Sequence, residues 1–148
     1  LEILIATALI TALLVYALQR RSRRKALRPS LSPVLLWPGN GSFAVQLADD
    51  SVDQVTLMEL AASGLPREVS ALLIPLSDHP VDTRAVRVDI DGRTVGHLVG
   101  DAARNFRRRL QHKGIEGATT QCVARLAAAS SKKGSSRILV KLDLKPLR

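Results

Sequence analysis

Two side chains in this sequence, Asp82 and His97, have the chemistry and the setting for a ligand contact. They lie within HPVDTRAVRVDIDGRTVGHL, residues 79–98. A carboxylate in a proline elbow either accepts a hydrogen bond from a ligand hydroxyl or caps its own turn as an Asx motif. An imidazole either reaches a phosphate or lines a core with one nitrogen satisfied. Little else in the chain suggests chemistry. His79, His97 and His112 lack metal-ligand spacing and Cys122 is the single cysteine, so neither a zinc site nor an internal disulfide is expected. SSKKGSS (130–136) is not a phosphate loop, which needs Gly-x-x-x-x-Gly-Lys-Ser/Thr between a strand and a helix. No Ser-His-Asp or paired-carboxylate pattern stands out, so the expectation is a binding module with no cofactor, not an enzyme.

The elements that would carry these residues follow from periodicity. AVRVDI (85–90) alternates, with Val86, Val88 and Ile90 on one face and Arg87 and Asp89 on the other. Asp91-Gly92 is a two-residue hairpin turn, and RTVGHL (93–98) is the returning strand. An unbroken ladder sets His97 opposite Val86 on the apolar face, whereas a bulge at Gly96 turns it outward. FAVQLA (43–48), REVSALLIPL (67–76), TTQCVARLAA (119–128) and RILVKLDL (137–144) are the other strands. Ser51 is expected to cap a first helix, with Gln54 completing a capping box and Val52, Val55, Met58 and Ala62 facing inward. A second helix runs from Gly100 or Asp101 to Gly114, with Ala102, Ala103, Phe106 and Leu110 as its apolar stripe. The order β-α-β-β-β-α-β-β predicts an α+β domain built as a small, OB-like, partly closed barrel of about six short strands and two helices.

Ahead of this domain, residues 3–18 (ILIATALITALLVYAL) carry no charge, and QRRSRRKALR (19–28) holds six basic residues and no acid. The charges follow the apolar run, where a cleaved signal peptide has them in front. No polar residue marks a solvent face, as a core helix would show. A single-pass membrane anchor over residues 1–19 is the reading adopted, with the basic cluster holding the following domain on the cytoplasmic side and touching anionic lipid. Sixteen residues span about 24 Å of a ~30 Å hydrocarbon core. The chain opens on Leu, so further residues are expected upstream. Residues 20–41 then form the basic segment and a Pro/Gly/Ser linker, and residues 42–148 the domain. Trp37, in the linker, either sits at the membrane, docks on the domain or has no specific role.

The net charge of +9 belongs largely to that basic cluster, because residues 42–148 keep only +4, with 16 basic against 12 acidic side chains. A high pI alone therefore says little about nucleic acid. Arg104, Arg107, Arg108, Arg109 and Lys113 on the second helix, with Lys132, Lys133 and Arg137, form either a phosphate track or an ordinary solvated surface.

IPLSDHPVDTRAVRVDIDGRTVGHL (74–98), followed by a helix and a closing strand pair, resembles the HIRAN domain family over about residues 43–144. That family has a proline-rich elbow of the type Asn-Pro-Tyr-Asp-Pro-Asn-Ala-Val, a strand, a turn and Val-Gly-Tyr/His-Leu. The resemblance implies a modified oligonucleotide-binding barrel that takes the 3′ end of single-stranded DNA. It places Asp82 on the terminal hydroxyl and His97, Arg84, Lys132 and Lys133 toward phosphates, with Phe43 as the remaining domain aromatic besides Phe106. The sequence departs from the pattern at His79, Val81 and Thr83-Arg84. Val81 replaces the elbow tyrosine, and base stacking on an aromatic is worth ~1–3 kcal/mol per base. The alternative is a membrane-anchored protein-interaction module that does not bind nucleic acid.

Overall fold

The structure is a computed structural model that describes residues 10–16, 32–77, 83–130, 134 and 136–147. The chain divides into two compact units, Leu1–Leu31 and Ser32–Arg148. In the first, residues 10–16 are helical, and Ile10, Leu13, Leu14, Val15 and Tyr16 are all exposed. Among the described residues no helix is long and apolar enough to cross a membrane. The rest of the apolar run expected to span one lies outside them.

The second unit is an α+β domain whose six strands form one antiparallel, curled half-barrel sheet. In chain order the elements are β1 (Val45–Gln46), a 3-10 turn (Asp49–Ser51), α1 (Gln54–Ala62), β2 (Glu68–Pro75), β3 (Val86–Ile90), β4 (Arg93–Leu98), α2 (Gly100–His112), β5 (Thr120–Ser130) and β6 (Ser136–Leu142). Across the sheet they run β1-β6-β5-β2-β3-β4. The β3–β4 turn forms as the sequence predicts, because Asp91 and Gly92 take φ of 51° and 71°, the left-handed values this turn needs.

Curling is visible in what α1 touches. It contacts β4 and β6, which are four places apart in the sheet order. Flat, those strands would lie about 19 Å apart, farther than one helix of ~10 Å diameter reaches. Two consecutive residues close the gap. The Asp53 amide donates to the Val95 carbonyl on β4 (2.9 Å). The Gln54 side-chain amide pairs with Ile138 on β6 in both directions, donating from Nε2 (2.9 Å) and accepting at Oε1 (3.0 Å).

The first helix corrects an expectation. Its cap is Asp53, whose carboxylate accepts from the Thr56 amide (3.2 Å) and hydroxyl (2.7 Å), while Ser51 ends the preceding 3-10 turn. These bonds from Thr56 hold the Asp53 carboxyl below its usual range. Leu57 and Leu60 enter the core, and Val55 and Met58 stay 67% and 62% exposed. Apolar residues lie nearly all round this helix, so periodicity picks no face. Stapling by residues 53 and 54 picks it instead.

Inside the curl, α2 supplies Ala103, Phe106 and Leu110 to a core with Leu73, Val86, Val88, Ile90, Val95, Val140 and Leu142. Trp37 joins them. Its ring meets Phe106 at 5.7 Å, and its indole N–H donates to the Thr120 hydroxyl (2.8 Å). Residues 34–37 lie beside the start of β5, with a parallel bridge Leu36–Gln121 and bonds Val34 N–H to Thr119 (3.0 Å), Gln121 N–H to Leu35 (2.9 Å) and Trp37 N–H to Gln121 (2.8 Å). Part of the segment expected to be linker thus lies against the start of β5 through one isolated bridge and its flanking backbone bonds.

Just after it, the buried Asp143 carboxylate accepts from the amides of Asn40 (3.3 Å), Gly41 (3.1 Å to each oxygen) and Phe43 (3.4 Å). Gly39 is required there, since a Cβ would fall 2.0 Å from Asp143 Oδ2. Cys122 is fully buried, and loss of solvation, with the Asp143 charge nearby, pushes its thiol up to about 12. It is an inert core residue.

Candidate functional site

The register of the β3–β4 hairpin decides where His97 points. Ile90 pairs with Arg93 and Asp89 with Thr94, and then the register shifts, so that Val88 meets Gly96 and Arg87 meets His97. The extra residue is Val95. Val95 and Gly96 are both buried, and His97 leaves the core face for the opposite one, half exposed beside Arg87. Of the two readings of this histidine, the bulge is the one observed. Any larger residue at 96 would be crowded, since a Cβ would lie 3.0 Å from both Leu47 Cδ1 and the Ser51 carbonyl oxygen.

Register places two cross-strand rows on this outer face of the sheet. One runs His97–Arg87–Ile74, and the next runs Thr94–Asp89–Leu72–Gln121. Asp89 is 5% exposed, accepts from the Thr94 hydroxyl (2.8 Å) and has Arg87 Nε 3.1 Å away. That guanidinium nitrogen is close enough to pair by charge but is not aligned to donate, so Arg87 acts on Asp89 as a point charge. With its charge matched by Asp89, Arg87 adds little net positive field to the row.

The elbow between β2 and β3 starts and ends beside this row. Leu76 N–H donates to the Ala85 carbonyl (2.9 Å), which closes the neck of the loop. Arg107 reaches over from α2 and donates to three carbonyls at that neck, those of Arg84 (2.7 Å), Ala85 (3.2 Å) and Leu76. One guanidinium therefore holds both shoulders of the elbow. Nothing in the sequence separates Arg107 from the other basic residues of α2, and its role appears only once β2, β3 and α2 are assembled.

The residues singled out from the sequence fall into three groups. His97 and Arg84 are described and lie at the hairpin and the elbow shoulder, where Arg84 is exposed. Asp82, Lys132 and Lys133 lie outside the described residues, as do His79 and Val81. Phe43 is 7% exposed, and the Arg125 guanidinium sits 4.0 Å above its ring. A ring covered in this way offers no open face for a base on that side, and Arg125 is in turn paired with Glu68 (2.6 Å).

The expected phosphate track on α2 is largely committed to the chain itself. Arg104 pairs with Asp101, Arg107 holds the elbow, and Arg109 donates to the carbonyls of Lys145 (2.8 Å) and Pro146. Lys113 lies 5.5 Å over the Trp37 ring, and Arg137 is paired with Asp49 (2.6 Å). Such exposed pairs are worth ~0–1 kcal/mol each, so a phosphate could compete for Arg104 or Arg137 but would have to displace internal bonds at Arg107. Comparison with known proteins adds no relative: no family model, curated protein or solved structure matches the chain.

Proposed function

We propose that the chain is a nucleic-acid-binding module of HIRAN-like type that takes the 3′ end of single-stranded DNA and is tethered to the cytoplasmic face of a membrane by its apolar N-terminal run. The observation that carries this reading is the bulge at Val95–Gly96, which turns His97 out of the core onto the outer face of a curled sheet, opposite Arg87. A histidine kept for packing would stay in register and inside. In this reading Asp82 accepts from the terminal hydroxyl, and His97, Arg84, Lys132 and Lys133 lie toward phosphates. Phe43, being covered, contributes no stacking, so affinity rests on the hydroxyl and phosphate contacts.

The experiment is a titration of the full chain with fluorescent oligonucleotides carrying free or blocked 3′ ends. Three cationic phosphate contacts from Arg84, Lys132 and Lys133 give a log–log salt slope of about −2 for single strands. Asp82→Ala costs more on the free end than on the blocked one. Equal affinity for the two ends, or no dependence on salt, rules the reading out. The second reading, a protein-interaction module, draws on the exposed Val55 and Met58 of α1. It calls for a salt-insensitive interaction weakened by Met58→Lys and untouched by Asp82→Ala.

A further inference from the structure

The β5–β6 hairpin has two long edges, and the fold treats them differently. On the β6 side Ile138 turns its backbone N–H and C=O outward, where the Gln54 amide takes up both as a neighbouring strand would. On the β5 side β2 pairs only from Thr120 to Arg125, and the last bond is Leu126 N–H to the Arg67 carbonyl (3.3 Å). Ala128 lies opposite Ile138 and shares the orientation of Leu126, so its N–H and C=O point to that same open edge. Among the described residues they meet no partner. Side chains of Ala61, Leu65, Pro66, Leu126 and Ala128 border a groove of about 490 Å³ along this edge, with Arg67 at its end.

From this geometry we infer that the open β5 edge is a docking site for the free C-terminus of an extended, apolar peptide, added as a strand in line with β2. Direction and termination both follow from the ladder. A strand antiparallel to β5 on this edge runs from Ser130 toward Leu126 and meets Pro66-Arg67, which already occupy the next place in the line. It cannot continue, so a chain end fits there and a passing chain does not. Arg67 is exposed, and among the described residues its side chain has neither ion pair nor hydrogen bond, so it supplies the charge that a terminal carboxylate needs. The small Ala127 and Ala128 leave room for side chains of the added strand, as in other strand-addition sites. This site is separate from the outer-face row at His97 and does not depend on nucleic-acid binding.

The test uses the full chain and a fluorescein-labelled peptide, Gly-Ser-Val-Thr-Val, made once as the free acid and once as the C-terminal amide. The acid binds saturably and the amide about fivefold more weakly, the contribution of one solvent-exposed ion pair. Arg67→Ala removes that difference. Ala128→Pro deletes the amide donor of the open edge that lies nearest the start of β2, where no ladder bond is lost, and abolishes binding at an unchanged unfolding midpoint. Should Ala128→Pro unfold the chain, Arg67→Glu, on an exposed side chain, reverses the preference so that the amide binds better. Equal binding of acid and amide by the unmodified chain, no saturable binding of the acid, or binding that survives Ala128→Pro in a folded chain overturns the inference. So does a concentration-dependent dimer lost on Ala128→Pro, which assigns the edge to a second copy.

Discussion

The β3–β4 and β5–β6 hairpins are built from the same kind of strand and behave differently. β5 and β6 pair without a break over seven residues, from Ala124–Leu142 to Ser130–Ser136, and each side chain keeps the face that alternation assigns it. β3 and β4 pair over five and slip by one in the middle. The regular ladder builds frame. The slipped one puts two consecutive residues, Val95 and Gly96, against the core and in exchange presents His97 and Arg87 together on the outside. A single extra residue thus separates a hairpin whose alternation runs unbroken from one in which two consecutive residues face inward and His97 turns outward beside Arg87.

Substitutions can break that contrast or sharpen it. The largest effect is expected from Phe106→Ala, which empties the core shared by both hairpins and costs ~3–5 kcal/mol in denaturant unfolding. It should erase the contrast by loosening the two alike. Gly96→Ala should sharpen it. The added methyl meets Leu47 and the Ser51 carbonyl at 3.0 Å, a misfit of ~1–3 kcal/mol. Amide exchange should then speed up across β3 and β4 while β5–β6 keeps its protection, and uniform loss of protection would mean that the bulge is not a separate local device. Gln54→Ala should cost ~0.5–1.5 kcal/mol and act the other way, raising exchange at Ile138 and leaving Thr94 and Gly96 as they were.

The smallest effect concerns pH. The Cys122 thiol titrates near 9 when unfolded and only at about 12 when buried. The stability it lends is complete below the unfolded value and is lost as pH rises from about 9 toward 12. Cys122→Ala should therefore flatten the alkaline fall in stability, and superimposable curves for the two chains would count against that assignment.

Alternation and turn chemistry made most of this frame legible in the sequence. Asp91-Gly92 names its own turn, Val86, Val88 and Ile90 name the inner face of β3, and Ala103, Phe106 and Leu110 name that of α2. What stayed hidden depends on contacts far along the chain. The apolar residues of α1 surround the helix, so its buried side was settled by Asp53 reaching β4 and Gln54 reaching β6, four places apart in the sheet. Trp37 sits among Pro, Gly and Ser and reads as linker, because its hydroxyl partner Thr120 is 83 residues away. At the candidate site, the bulge was one of two ways to read Val-Gly-His-Leu, and the Ser51–Val52 backbone that crosses Gly96 chooses between them. Arg107 and Asp143 carry no local signal at all, since each serves backbone groups brought to it by other elements.

The pairing of residues 34–37 beside β5 has a mechanical consequence. Its three backbone bonds, to Thr119 and Gln121 at the start of β5, lie across the chain direction, so tension applied to the chain ahead of Ser32 loads them together, in shear, and does not peel them one by one. Beyond them the Trp37 indole and the Asp143 carboxylate act as successive stops. A pull from that end would be borne by the middle of the sheet before it reached the β3–β4 hairpin.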